Sequence, residues 1–305
     1  MLARQLSGID SVELGELPDP APAAGQALIR VHGAGVGPWD VGFLGGGFPG
    51  LAMPFVPGQE VAGVVEAVGD GAAVQPGERV YAVLFPAGGG VRRTGAGLGG
   101  PAGPDARYSE LRGGGRAGHR GRRRVRGLDR PGAAPGRGTV LITAAAGGVG
   151  SAAVQIAVAV GARVVAVASP PNHDYLRSLG ASEVFDYHAA GWALQVRAVI
   201  PGGIDLLFDG AGGQTRDQAL DAVRDGGRAI SIVLQGAPLQ PERGITGESF
   251  AAHGGRQRLE QLAALVDDGK LRPQAETVLP LDQAREALTR VAARHTRGKI
   301  ALQIG

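Results

Sequence analysis

The sequence predicts an α/β protein that combines a doubly wound parallel sheet with a smaller, barrel-like β domain. Two patterns lead to this prediction. In residues 1–90, short apolar runs alternate with glycine and proline turns, which is typical of a small barrel. From Thr139 onwards, buried-strand runs alternate with helical stretches, which is the pattern of βαβ units. The length of 305 residues fits about two domains.

The N-terminal part contains strand candidates that are bounded by turn residues. The first follows the proline-rich stretch Pro18–Pro22, and a glycine interrupts the second. The three candidates are Ala27–Val31, Val61–Val68 (with Gly63 inside it) and Arg79–Val83. Turns are expected at Gly69–Gly71 and at Pro76–Gly77.

In the C-terminal part, strand and helix candidates follow one another as a parallel sheet requires. The expected strands are Thr139–Ile142, Arg163–Ala168, Val184–Asp186, Ile204–Phe208, Arg228–Leu234 and, closing the chain, Ile300–Ile304. The expected helices are Ser151–Val160, Asp174–Leu179, Leu259–Val266 (with Gly269 just past its end) and Leu281–Ala293.

The composition excludes several classes of function. The chain contains no cysteine, so a disulfide scaffold, thiolate metal sites and a cysteine nucleophile are ruled out. No secretory pattern follows Met1, and no run of 18 apolar residues predicts a membrane span. We therefore expect a cytoplasmic protein that does not act at a membrane.

The net charge of +3 hides one strongly basic segment, residues 91–137, which holds 12 Arg and 13 Gly against two Asp and one Glu. Three interpretations compete: a nucleic-acid-binding segment, a solvated disordered insertion, or a local reading-frame error in a GC-rich gene. Reading the codons one base later permits Phe-Ala-Glu at residues 91–93 and Leu-Ser-Phe-Glu-Glu-Ala-Ala-Ala at residues 109–116. These are a plausible strand and a plausible capped helix start. We therefore favour the frame error and expect no nucleic-acid partner.

The strongest local motif follows the strand at Thr139–Ile142 and opens the next helix. Its glycines allow a sharp turn, close approach to a pyrophosphate and close helix–strand packing, and the helix N-terminus favours the phosphate charge. The alternative is an ordinary tight turn between strand and helix. The predicted dinucleotide contacts are Ala144, Ala146, Gly147, Gly148, Val149 and Gly150.

The residues after the next strand predict that the cofactor is NADPH. NAD-binding proteins place a carboxylate there for the ribose hydroxyls, whereas this chain has Ser169 and Asn172. Both side chains can donate to a 2′-phosphate, and Arg177 can supply positive charge. The alternative is that Ser169 and Asn172 cap the following helix. Further along, the cofactor is expected to pass Gly210, Ile232 and Val233, which follow later strands.

Four stretches, together with the glycine motif, resemble the zinc-independent medium-chain dehydrogenase/reductase family, and within it the quinone oxidoreductase branch. The first resembles the family's active-site loop, the second its P-G-x-E/D signature, the third its G-D-R-V turn and the fourth its C-terminal strand. In order, these stretches are Gly35–Asp40, Pro54–Val65, Pro76–Val80 and His295–Ile300.

This resemblance implies a GroES-like catalytic domain in residues 1–125, a Rossmann NADP-binding domain in residues 126–265, and a return to the first domain in residues 266–305. It implies hydride transfer from NADPH to a quinone or an α,β-unsaturated carbonyl, with a small-molecule substrate and a homodimer as the expected assembly. Asp40 would order a water molecule or a cofactor hydroxyl, and Trp39 would form one wall of an apolar pocket. The alternatives are a cap of the next turn for Asp40 and core packing for Trp39.

The chain also departs from the family. Zinc-containing relatives have a histidine ligand where this chain has Gln59, so we expect no metal. Gly37 replaces the family's loop asparagine, which removes a polar contact to substrate or cofactor. A second hypothesis is therefore an NADPH-binding sensor or interaction protein without catalysis, or an enzyme inactivated by the segment 91–137.

Overall fold

The computed structural model describes residues 1–48, 50–84, 94–96, 138–233, 239–249 and 256–305. The expectations for segment 91–137 lie outside this part of the chain, apart from residues 94–96. The described residues form fourteen strands: β1 (Leu2–Ala3), β2 (Val12–Glu13), β3 (Ala27–Val36), β4 (Glu60–Val68), β5 (Arg79–Val83), β6 (Thr94–Ala96), β7 (Thr139–Ile142), β8 (Arg163–Val167), β9 (Glu183–Phe185), β10 (Ile204–Asp209), β11 (Val223–Ser231), β12 (Thr246–Ser249), β13 (Ala275–Pro280) and β14 (Lys299–Gln303).

Seven α-helices accompany these strands in the described residues. They are α1 (Pro38–Leu44), α2 (Gly148–Ala159), α3 (His173–Ser178), α4 (Trp192–Val199), α5 (Gly213–Ala222), α6 (Arg256–Asp267) and α7 (Ala284–Ala292). Not one of them combines the length and the apolar character that crossing a bilayer requires. The chain divides into two compact units. The first holds the described residues up to 96 together with 256–264 and 275–305, and the second holds 138–233, 239–249 and 265–274.

The first unit is built around a sheet in which β3 is the central strand. The strand order is β13-β14-β3-β4-β5, and β6 also pairs with β3. Strands β3 and β4 run antiparallel and approach closely at Gly63, where a Cβ would lie 2.0 Å from the Arg30 carbonyl oxygen. Apolar residues of the strands and of α7, among them Ala287 and Leu288, form one core.

The second unit is a six-stranded parallel sheet of order β12-β11-β10-β7-β8-β9. Neighbouring residues of β7 serve opposite faces: Leu141 packs with the cluster that includes α4 and α5, and Ile142 with the cluster that includes α2 and α3. From β7 the chain first builds outwards through β8 and β9, and then returns to build β10, β11 and β12 on the other side. The carboxyl end of β7 is therefore the switch point at which such sheets bind ligands.

The structure confirms the predicted fold class, and it moves several element boundaries. Strands Arg79–Val83 and Thr139–Ile142 match the prediction, whereas the strand expected at Ala27–Val31 continues to Val36. Gly63 does not interrupt β4: it pairs with Val31, and the register shift beside it lies in β3, between Val31 and Gly33. The strand expected at Arg228–Leu234 instead spans Val223–Ser231.

At the C-terminus, the predicted helix Leu281–Ala293 begins as a 3-10 turn at Leu281–Gln283 and becomes α-helical only at Ala284. The last strand is Lys299–Gln303 rather than Ile300–Ile304. The sequence prediction missed eight elements, namely the helices α1, α4 and α5 and the strands β1, β2, β6, β12 and β13. The segments of β12 and β13 are mostly exposed and carry no buried alternation, so their pairing depends on neighbouring strands.

Candidate functional site

The turn between β7 and α2 brings two backbone segments unusually close together. Ala144 has a positive φ of 50°, and its carbonyl oxygen accepts a hydrogen bond from the Gly147 N–H at 3.1 Å. A Cβ at Gly150 would lie 2.3 Å from the Ala144 oxygen and 2.7 Å from the Ala145 Cα. Both neighbours are backbone atoms and cannot move aside. Glycine is therefore required at position 150 for the helix to start against the strand.

Helix α2 begins at this turn and offers the features that an anion needs. Its first amides have no partner within the helix, and the helix dipole makes this end positive. No acidic residue occupies the first turn. Val149 is exposed, while Ala146 is buried beneath the turn. The six residues predicted as dinucleotide contacts, 144 and 146–150, therefore lie together in the turn after β7 and the first turn of α2.

A buried polar network ties the carboxyl ends of three neighbouring strands together, and the sequence did not reveal it. Asp209 of β10 accepts hydrogen bonds from the Thr143 hydroxyl at 2.7 Å, the Ser231 hydroxyl at 2.7 Å, and the backbone N–H groups of Ala211 and Gly212. Thr143, Asp209 and Ser231 are completely buried. The network holds the loop after β10 against the turn after β7.

Three predicted cofactor contacts converge at this edge of the sheet. The Gly210 N–H donates to the Thr143 hydroxyl, and an added Cβ at Gly210 would lie 3.6 Å from the Ala144 Cβ and 3.9 Å from the Ile232 Cδ1. Val233 follows Ile232, and its N–H donates to the Ser231 hydroxyl. The nearest atom to that Cβ would be the Thr143 carbonyl oxygen at 3.3 Å, so the loop after β10 packs closely against the turn after β7 at Gly210.

The residues after β8 interact with one another rather than with the helix that follows. The Asn172 side-chain amide donates to the Ser169 hydroxyl at 3.2 Å, and neither side chain makes a capping bond. The alternative of helix capping is therefore wrong. Arg177 lies on the exposed side of α3 and pairs with Asp174 at 2.9 Å. No carboxylate occupies positions 169–172 at the end of β8.

In the first unit, Asp40 is buried at the start of α1. One carboxylate oxygen accepts the Gly37 N–H at 2.8 Å, and the other accepts the Gly58 N–H at 2.9 Å. Burial raises the pKa of Asp40 to about 6, although these two hydrogen bonds act to lower it. Asp40 lies inside the helix rather than at the residue that precedes it, and it bonds back to Gly37. The alternative interpretation of Asp40 as a simple cap therefore describes only part of its role, because the bond to Gly58 joins two loops.

Trp39 is 38% exposed, so the alternative of core packing is wrong. Its ring rests against Gly37, where a Cβ would lie 2.5 Å from a ring carbon. The Lys299 ammonium lies 5.1 Å from the ring centroid and 2.6 Å from a carboxylate oxygen of Glu60. That oxygen lies over Gly35, where a Cβ would approach it to 2.3 Å. Because Gly35 and Gly37 have no side chain, the Glu60 carboxylate and the Trp39 ring can pack directly against the backbone at these positions.

Gln59 precedes β4, between Gly58 and Glu60. Its side chain is 2% exposed, and neither its amide nitrogen nor its amide oxygen has a hydrogen-bond partner among the described residues. The described residues contain no group of three or more His, Asp or Glu side chains with the geometry of a metal site.

Comparison with known proteins identifies the class to which these two units belong. Residues 23–108 match the family model described as an alcohol dehydrogenase GroES-like domain, and residues 179–302 match the model described as a zinc-binding dehydrogenase. The two matched segments together span more than half of the chain. The chain belongs to the medium-chain dehydrogenase/reductase family of oxidoreductases, and its fold combines a GroES-like domain with a Rossmann-like domain.

Within that family, the similarity extends to the quinone oxidoreductase branch. The chain is 28% identical to the quinone oxidoreductase of Rattus norvegicus over 93% of its own length and 90% of that protein. A mycobacterial protein whose structure contains NADPH superposes with a TM-score of 0.81 at 26% identity, covering 99% of this chain and 98% of the other. An NAD-dependent alcohol dehydrogenase superposes with a TM-score of 0.79 at 25% identity, covering 100% and 99%.

Proposed function

We propose that this protein is an NADPH-dependent oxidoreductase that reduces a quinone or an α,β-unsaturated carbonyl without a metal. The observation that carries the proposal is the turn after β7. Its backbone packs so closely at Gly150 that only glycine fits, which is the arrangement a dinucleotide pyrophosphate requires. NADPH, when bound, supplies the hydride.

The surroundings of this turn support a cofactor with a 2′-phosphate. At the end of β8 the chain presents a hydroxyl and an amide at Ser169 and Asn172 instead of an acid. Arg177 is held by Asp174 in an exposed ion pair, which contributes little to stability and can therefore exchange its partner for a phosphate. Across the sheet edge, Gly210, Ile232 and Val233 lie at the carboxyl ends of neighbouring strands, where the rest of the cofactor would pass.

The cluster in the first unit supports a role in binding the acceptor. Trp39 offers a half-open aromatic face, which suits a flat quinone ring. Asp40 fixes the loop beneath it through Gly37 and Gly58. Because both carboxylate oxygens are already occupied, we assign Asp40 a positioning role, and solvent supplies the proton that completes the product.

Two measurements test this proposal. Titration with NADPH and with NADH, followed by tryptophan fluorescence, should give the tighter dissociation constant for NADPH. Oxidation of NADPH, followed by its absorbance, should depend on added 1,4-benzoquinone or methyl vinyl ketone. Equal affinity for NADH would refute the cofactor assignment. Tight NADPH binding without turnover of any acceptor would refute the catalytic one.

The second candidate, an NADPH-binding protein without catalysis, is favoured by one feature of the loop. Gly37 lacks the polar side chain of the family, and the Trp39 ring fills the space where that side chain would begin.

The interpretation of segment 91–137 bears on the same choice. Resequencing the coding DNA for residues 85–140 should uncover compensating single-base changes that restore the family-like segments. An unchanged arginine- and glycine-rich sequence would favour the second candidate.

A further inference from the structure

The side-chain amide of Gln59 can form hydrogen bonds for which no other described residue of the chain provides a partner. A primary amide offers two N–H donors and an oxygen with two lone pairs. In Gln59 both polar atoms are buried, and neither has a partner among the described residues. Buried polar groups without partners are rare in folded proteins, and they call for a ligand, a water or a functional reason.

Hydrogen bonds fix the backbone on both sides of Gln59. The side chain therefore cannot change its position by a movement of the loop. The Gly58 N–H donates to Asp40, and the Gln59 carbonyl oxygen accepts the Leu84 N–H at 2.7 Å. Glu60 then enters β4, opposite Val83. A fixed backbone places the amide reproducibly, which a ligand-binding group requires.

The polar groups closest in the chain are already committed to other partners. Both oxygens of Asp40 accept backbone N–H groups, and the Glu60 carboxylate pairs with Lys299. A methionine has nearly the same shape and leaves nothing unpaired. The amide is therefore a cost to stability, which points to a role in binding.

We infer that the Gln59 side-chain amide donates a hydrogen bond to the carbonyl oxygen of the acceptor, an inference that rests on the function proposed above. When either class of acceptor takes a hydride, the cofactor is oxidised, the displaced electron pair ends on the carbonyl oxygen, and a proton from solvent completes the product. An N–H donor in a site shielded from water stabilises that developing negative charge. Gln59 thus supplies the polarising contact that a metal supplies in zinc-containing relatives.

The first test replaces Gln59 by an isosteric apolar residue. Gln59→Met should lower kcat/KM for 1,4-benzoquinone by about a hundredfold to a thousandfold, the range for loss of one donor to a developing oxyanion. The dissociation constant of NADPH should stay within about twofold, and the melting temperature should stay the same or rise, because unpaired polar atoms are removed. Unchanged kinetics would overturn the inference whatever the melting temperature, and a lower melting temperature would indicate an amide satisfied by the protein or by a buried water.

The matched control is the same substitution at Gln155, a buried glutamine in α2 whose amide is satisfied. Its side chain donates to the carbonyl oxygens of Ser151 and Arg272 and accepts the Arg272 N–H. Gln155→Met should lower the melting temperature, because three hydrogen bonds are lost. Opposite thermal shifts in the two variants confirm that the amides differ in the way described.

A second test does not depend on turnover, and it exploits the absence of cysteine from the chain. Gln59→Cys introduces the single thiol, and Gln155→Cys is the control. Alkylation of Cys at position 59 by iodoacetamide should be slowed at least about threefold by saturating 1,4-hydroquinone under anaerobic conditions, whereas position 155 should be unaffected. If the wild-type protein has no activity, the proposed function fails, yet protection at position 59 still supports an oxygen ligand there. If the thiol reacts and its rate stays unchanged at a hydroquinone concentration that saturates the variant, the inference is overturned in either case.

Discussion

The carboxyl group of Asp40 should make the stability of the first unit depend on pH in an unusual direction. Its pKa is about 6 in the folded state and 3.8 without burial, so the folded state holds the proton more tightly. The resulting stabilisation is fully present below pH 4, and it is lost as the pH rises through about 6. At about 1.4 kcal/mol per pH unit, the wild-type protein should lose about 3 kcal/mol from this group.

The perturbation that isolates this effect is Asp40→Asn. The amide is neutral at every pH, but its NH2 end accepts no hydrogen bond, so it satisfies only one of the two N–H groups of Gly37 and Gly58. At pH 4 the variant should therefore be less stable than the wild type, by a cost that does not change with pH. Between pH 4 and pH 7.5 its stability relative to the wild type should rise by about 3 kcal/mol. All other titrating groups cancel in this difference.

The assay is urea unfolding at a series of pH values. The chain has two tryptophans, and Trp39 lies in the first unit while Trp192 lies in the second. A Trp192→Phe background therefore makes fluorescence report on the first unit alone. A difference between variant and wild type that is flat across this pH range would refute the reasoning. So would a difference of the opposite slope, because it would mean that the two hydrogen bonds outweigh burial and hold the carboxyl group ionised.

Three further predictions concern the second unit. Gly150→Ala should lower the melting temperature and weaken NADPH binding at least about tenfold, since its Cβ would collide with backbone, whereas Gly202→Ala, with open space around it, should change neither. Asp209→Asn should cost about 2 kcal/mol in urea unfolding, because the oxygen that accepts the Ser231 hydroxyl becomes an N–H donor and the charge that strengthens the other three hydrogen bonds is lost; a cost under about 0.5 kcal/mol would contradict the network. Arg177→Ala should weaken binding of NADPH by about tenfold and leave NADH unchanged, as titration would measure; an equal loss for both cofactors would remove Arg177 from the phosphate site.

Local sequence determined much of the fold, because its signals are periodic and short in range. The apolar run Thr139–Ile142 could only be a buried strand, and the glycines that follow it could only be a turn into a helix. The glycine motif therefore marked the candidate cofactor site without any structure. Elements without such a pattern were missed, as with the exposed strand β12, because tertiary pairing rather than side-chain periodicity makes them strands.

The tertiary structure decided the partners of the buried polar groups. Asp209 meets Thr143, 66 positions earlier in the chain, and Asp40 meets Gly58, 18 positions later. Nothing in the spacing of these residues announces the contact, since it arises only when parallel strand ends or neighbouring loops are packed side by side. The same holds for Gln59, whose neighbours in sequence suggested an ordinary replacement of a metal ligand. Only the packed structure reveals that its amide is buried and left without a partner, because burial and satisfaction are properties of the surroundings rather than of the residue.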